Sequence, residues 1–148
     1  MINVLSIKDT RIRYNDISNM ICNSIKTRVE DISNEVKVTI GGNQNVGFIE
    51  DGDIVIIIDS SYFDVMPGKV TKLNLSEWFE ILYDDYNSSE YKFIESLRQQ
   101  KKNVKGYLIG IEIGDSENES IVSSSIMKKF DLICDIVIDK IKEIIKYG

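Results

Sequence analysis

The chain has no histidine and no alanine, and only one proline and two cysteines. Without histidine the commonest general base and the commonest metal ligand are gone, so catalysis would have to run on carboxylates, Lys, Tyr or Ser. The two cysteines, Cys22 and Cys134, both fall on apolar faces of predicted helices. They suit neither a disulfide framework nor a zinc site and read as small buried hydrophobes. No apolar run reaches the roughly 18 residues that a membrane-crossing helix needs. The segment Met1–Lys8 has neither the basic lead nor the hydrophobic core of a signal peptide, so a bacterial cytoplasmic protein is expected. Gly41-Gly42 lacks the lysine and the spacing of a phosphate loop. Ser123-Ser124-Ser125 has no base or oxyanion loop near it in sequence. The single basic cluster, Lys101-Lys102-Asn103-Val104-Lys105, is short and free of aromatics. With a net charge of -6 and a pI near 4.7, no nucleic-acid partner and no membrane partner is expected.

Isoleucine, asparagine, lysine and serine are abundant, a bias that matches AT-rich coding in low-GC bacteria and their phages. The 148 residues fit one globular domain, 1–148, and the apolar fraction of 43% is ordinary for a folded chain. The chain is organised around Ile54-Val-Ile-Ile-Ile58, five consecutive β-branched residues. Such a run, bounded by polar residues, is the pattern of a strand buried on both faces. Asp51-Gly52 in front of it is suited to a tight hairpin.

The remaining elements follow from periodicity. Residues 2–7 alternate loosely as a short edge strand. Asp16 caps a helix to about Ser33, whose stripe is Ile17, Met20, Ile21, Ile25, Val29 and Ile32. Val36–Ile40 alternates as a strand, Val46–Glu50 as a second, and both join the central strand in a meander. Lys69–Leu75 reads as one more strand. Asn74 with Glu77 forms a capping box for a helix carrying Trp78, Phe79, Leu82 and Tyr83. A further helical segment holds Tyr91, Phe93, Ile94 and Leu97. Val104–Ile113 is a strong strand whose Gly106 and Gly110 share a face, so something should pack closely there. Ser116 with Glu119 resembles a capping box. A last helix then runs to about Tyr147, roughly 40 Å if unbroken, so it either breaks or projects toward a partner. The fold class expected is α+β (mixed α/β): a meander of three to four strands plus a further strand. An N-terminal helix, a central helical segment and a long C-terminal helix pack on it.

Two groups of acids invite a functional reading. Asp53 and Asp59 flank the central strand and are candidate ligands for a hard divalent cation. The order helix, three strands, helix, strand, with Asp53 opening the central strand, resembles the PD-(D/E)xK nuclease core. In that family a Glu-x-Lys follows on the next strand. Here Val70-Thr-Lys72 stands in its place, so the resemblance implies the nuclease fold with a degenerate site. The second group is an acidic and aromatic surface, Trp78, Asp84, Asp85 and Tyr86, with an acidic loop at Asp115, Glu117 and Glu119. Trp and Tyr are typical anchors of protein interfaces.

The expectation drawn from these features is a non-enzymatic, acidic protein-binding module that needs no cofactor. Its most concrete form is an immunity or inhibitor protein that neutralises a basic toxin through complementary charge. The alternative is a structural component of a phage particle that forms a homo-oligomer through the C-terminal helix and resides in the virion.

Overall fold

A computed structural model describes residues 1–8, 16–41, 46–77, 89–114 and 123–147. Along these the chain forms β1 (Ile2–Leu5), α1 (Ile17–Glu30), β2 (Val36–Thr39), β3 (Ile54–Ser61) and β4 (Val70–Asn74). It continues with α2 (Ser89–Gln99), β5 (Lys105–Glu112), α3 (Ser124–Lys128) and α4 (Phe130–Tyr147). The strands make one sheet in the order β2-β1-β3-β5-β4. β1 pairs in parallel with β2 and β3, β3 in parallel with β5, and β4 lies antiparallel on β5.

The mixed α/β class expected from the sequence holds, but the meander inside it does not. Ile54–Ile58 takes its partners from the two ends of the chain, with Ile54 opposite both Ile2 and Lys105. That is where a strand apolar on both faces belongs, because crossover helices cover a parallel sheet on each side. Asp51-Gly52 does turn, with Gly52 at φ 88°, yet it closes no hairpin. The Gly52 N–H donates to the Asn103 carbonyl at 2.7 Å, and the Asn103 N–H donates to the Asp51 carboxylate at 2.8 Å. The turn is thus knitted to the loop that enters β5, and residues 46–50 form no strand. β1 is likewise no edge: all four of its residues are buried.

Each face of the sheet carries its own core. On one side, Val4, Ile56, Ile58, Ile109 and Ile111 meet the stripe of α1 (Ile21, Ile25, Val29) and that of α4. On the other, Leu5, Val55, Ile57 and Leu108 meet Phe93, Ile94 and Leu97 of α2. The stripe of the last helix, Ile133, Cys134, Val137, Ile138, Ile141 and Ile144, is therefore core. That helix breaks at Lys129, whose φ of -103° and ψ of 7° leave helical geometry. Eighteen residues remain in α4, about 27 Å, which a domain of this size can cover. Ser123 caps α3 through the Ile126 N–H at 3.3 Å, while Ser116 and Glu119 lie outside the described residues. Asn74 caps as expected, its Oδ1 accepting from the Glu77 N–H at 2.9 Å. The glycine face of β5 is indeed closely covered. A Cβ on Gly106 would stand 1.9 Å from Leu75, and one on Gly110 would stand 2.9 Å from Ser61.

Candidate active site

The topology singles out one place on this sheet. β1 hands over through α1 to β2 on one side of it, and β3 hands over, with α2 on the opposite face, toward β5. Neighbouring strands that lead in opposite directions leave a crevice at their carboxyl ends, and α/β domains of this kind place their sites there. Four ionisable side chains meet in that crevice. Lys8 follows β1, Asp16 caps the first turn of α1, Asp59 lies near the end of β3, and Glu90 sits in the first turn of α2. Asp59 shares the parity of Val55 and Ile57, so its side chain faces the α2 side of the sheet.

All three carboxyls are buried: Asp16 is 1%, Asp59 3% and Glu90 6% exposed. Such groups must be paired or neutralised to remain in the fold. The Lys8 ammonium lies 2.6 Å from Glu90 Oε1. The Asp59 and Glu90 carboxyls are hydrogen-bonded to each other. A carboxylate is an acceptor only, so that bond needs a proton on one partner. Asp59 holds it. Burial pushes its carboxyl well above the ordinary 3.8, and the Glu90 charge adds to this. Burial also pushes Glu90 upward, but the hydrogen bond from Asp59 and the Lys8 ammonium together bring it below the ordinary 4.5. Its place at a helix N-terminus favours the same charge. Burial pushes the Lys8 ammonium down, but the acidic surroundings, with Glu90 in direct contact, outweigh it and raise Lys8 above the ordinary 10.5. The Asp59 Oδ1 accepts from the Ser60 N–H at 2.9 Å, and Asp16 Oδ1 accepts from the Ser18 N–H at 2.9 Å and from the Ser18 hydroxyl. The site is thus a protonated acid and an ionised acid side by side, held by a lysine.

Of the candidate site residues selected from sequence that lie among the described residues, Asp59 falls in this crevice and Asp53 does not. Asp53 sits at the other end of β3, six residues away, about 20 Å at the rise of a strand. It cannot share a cation with Asp59. It is spent on structure: Oδ2 accepts from Asn3 Nδ2 and from the Glu50 N–H, each at 3.0 Å, and the amino terminus lies 3.2 Å from Oδ1. Val70-Thr-Lys72 belongs to the reversed strand β4, where Lys72 Nζ reaches Glu143 at 4.0 Å. The nuclease motif positions therefore do not converge. Trp78, Asp84, Asp85, Tyr86, Asp115, Glu117 and Glu119 lie outside the described residues. Sequence reasoning took Asp16 only as a helix cap and passed over Lys8 and Glu90. The signal that could have found the site was Asp59 itself, an acid closing the most apolar strand at its carboxyl end.

What these features define is a doubly wound α/β domain with a carboxyl pair at its switch point. No protein-family model and no curated protein matches the chain. Solved structures do match it in fold. The hydrogenase maturating endopeptidase HybD from Escherichia coli is 17% identical, over 96% of this chain and 92% of that one, with a TM-score of 0.68. A structure described as an endopeptidase from Escherichia coli is 14% identical over 96% and 92%, with a TM-score of 0.64. The [NiFe] hydrogenase maturation protease HycI from Thermococcus kodakarensis is 15% identical over 95% and 92%, with a TM-score of 0.62. At these identities the likeness is one of fold. It overturns the expectation of a non-enzymatic immunity protein or inhibitor, of a phage component and of a nuclease core, since the matching folds are those of peptidases. Acidic balance and small size describe a peptidase as readily as an inhibitor. Among the described residues no helix is long and apolar enough to cross a membrane.

Proposed function

We propose that this protein is an endopeptidase that cuts a peptide bond with the Asp59–Glu90 pair. The observation that carries the proposal is the meeting of two buried carboxyls, Asp59 and Glu90, beside the Lys8 ammonium at the switch point of a fold that solved endopeptidases also have. Two carboxyls with separated proton affinities supply an acid and a base at neutral pH. Glu90, ionised beside Lys8, accepts a proton from water as its oxygen attacks the scissile carbonyl carbon. Asp59 gives its proton to the carbonyl oxygen, forming a tetrahedral diol. When the diol collapses, Glu90 returns its proton to the amide nitrogen and the C–N bond breaks. Asp59 regains its proton from one diol hydroxyl as the C=O bond re-forms, leaving one new carboxyl end and one new amino end. Burial strengthens both transfers, since charge is poorly screened in a water-poor site.

The neighbours include hydrogenase maturation endopeptidases, so a hydrogenase precursor is the first substrate to offer, followed by a proteome-derived peptide library. New termini would be read by mass spectrometry. Wild-type protein should generate them, and Asp59→Asn and Glu90→Gln should each slow the reaction by about 10²–10⁴, the usual worth of one positioned acid or base. Termini that appear equally with both variants, or with none of the three proteins, would refute the proposal.

A further inference from the structure

Three buried carboxyls drawn from three separate elements normally announce a cation, since hard metals recruit several oxygens to one point. Here the cation is part of the chain. We propose that the Lys8 ammonium is the resident cation of the cluster, occupying the place a divalent metal would take. It acts as a positioning residue that keeps Glu90 ionised and turned toward Asp59. Three observations carry this. The ammonium sits 2.6 Å from Glu90 Oε1, with its side chain only 14% exposed. The carboxyls of Asp59 and Asp16 act on the same ammonium. Lys8 is fixed by its backbone too, because its carbonyl accepts from Asn19 Nδ2 at 3.2 Å, which ties the end of β1 to α1.

The electrostatics explain the choice. A divalent ion would need room between the carboxyls, whereas the Lys8 ammonium already stands 2.6 Å from Glu90 Oε1. A single positive charge with three donors can serve these acceptors, and an ammonium imposes no coordination geometry on them. Lys8 touches Glu90 and not the scissile bond, so it acts through the base.

Manganese(II) alone is the probe, titrated calorimetrically into the intact chain at neutral pH. Wild-type protein should show no saturable binding at micromolar concentrations. Lys8→Met removes one charge from amid three carboxyls, and it should bind manganese at least ~100-fold more tightly than wild type. Adding Glu90→Gln to Lys8→Met should abolish the gain, and Lys8→Arg should bind no better than wild type. Saturable micromolar binding by wild-type protein overturns the proposal whether or not Lys8→Met folds. So does a folded Lys8→Met protein that gains nothing. The inference rests on the peptidase reading only for Lys8 acting on a catalytic base. If the variant gains the ion while wild type cuts no peptide, the resident cation stands and the peptidase reading falls.

Discussion

Asp59→Asn separates the acid–base reading from a merely structural one. Asn is the nearest mimic of a protonated Asp, and its Nδ2 can donate to Glu90 where the carboxyl proton did. The hydrogen bond survives, so stability near pH 4, where the folded carboxyl is protonated, should change by no more than about 1 kcal/mol. What disappears is a pH dependence. The Asp59 carboxyl has a higher proton affinity folded than unfolded, where its ordinary value is 3.8. A raised folded value means that its contribution is complete below 3.8 and is lost as pH rises toward the folded value. Through that window wild-type stability should fall by up to about 1.4 kcal/mol per pH unit, the worth of one proton. Glu90 acts in the opposite sense: its contribution is present above 4.5 and is lost as pH falls through its lowered folded value. Urea unfolding at half-unit steps of pH, from acid to neutral, measures both. In Asp59→Asn the decline above 3.8 should vanish while the loss on the acid side remains. An unchanged decline in the variant, or a loss of more than about 3 kcal/mol at neutral pH, the cost of breaking a buried charged pair, would refute the assignment of the proton to Asp59.

Two further predictions concern the core. Gly106→Ala places a methyl within 1.9 Å of Leu75. Leu75 must leave its seat on the sheet, at about 1–3 kcal/mol. Thermal unfolding measures this, and Gly106→Ala with Leu75→Ala should be less than additive. Both thiols should resist a water-soluble disulfide reagent in the native protein and react only on unfolding. Burial pushes Cys22 to about 12, and Cys134 is also raised, again chiefly by burial. Stoichiometric labelling under native conditions would contradict the packing of α1 against α4.

What could be read from the sequence was what local pattern controls. Ile54–Ile58 announced a strand buried on both faces, the stripes of α1 and α4 announced their buried sides, and Gly106 and Gly110 announced close neighbours. What could not be read was pairing over distance. The same Ile54–Ile58 run fits a meander or a parallel sheet, and the choice depends on β1 and β5 arriving from opposite ends of the chain. β1 looked like an edge because four residues carry little periodicity and one of them is Asn3. That residue is buried and donates to Asp53. Asp59 was noticed but matched with Asp53, its neighbour in sequence, when its true companions were Glu90 and Lys8. A strand keeps its own two ends apart, so two acids at those ends are poor candidates for one site. The split of the last helix at Lys129 had no glycine or proline to announce it.

The candidate site draws on residues 8, 16, 59 and 90, and each has its own attachment. Lys8 depends on β1, Asp16 on α1, Asp59 on the pairing of β3 with β1 and β5, and Glu90 on the docking of α2. Contacts so distant in sequence form only after loop closure across most of the chain, which is the slow part of folding. No fragment of the nascent polypeptide up to β3 contains the pair, and until β5 enters the sheet β3 lacks one of its two neighbours. The proposed site is therefore the last thing this protein makes of itself. A partly folded copy carries only scattered, solvated acids in place of the buried pair.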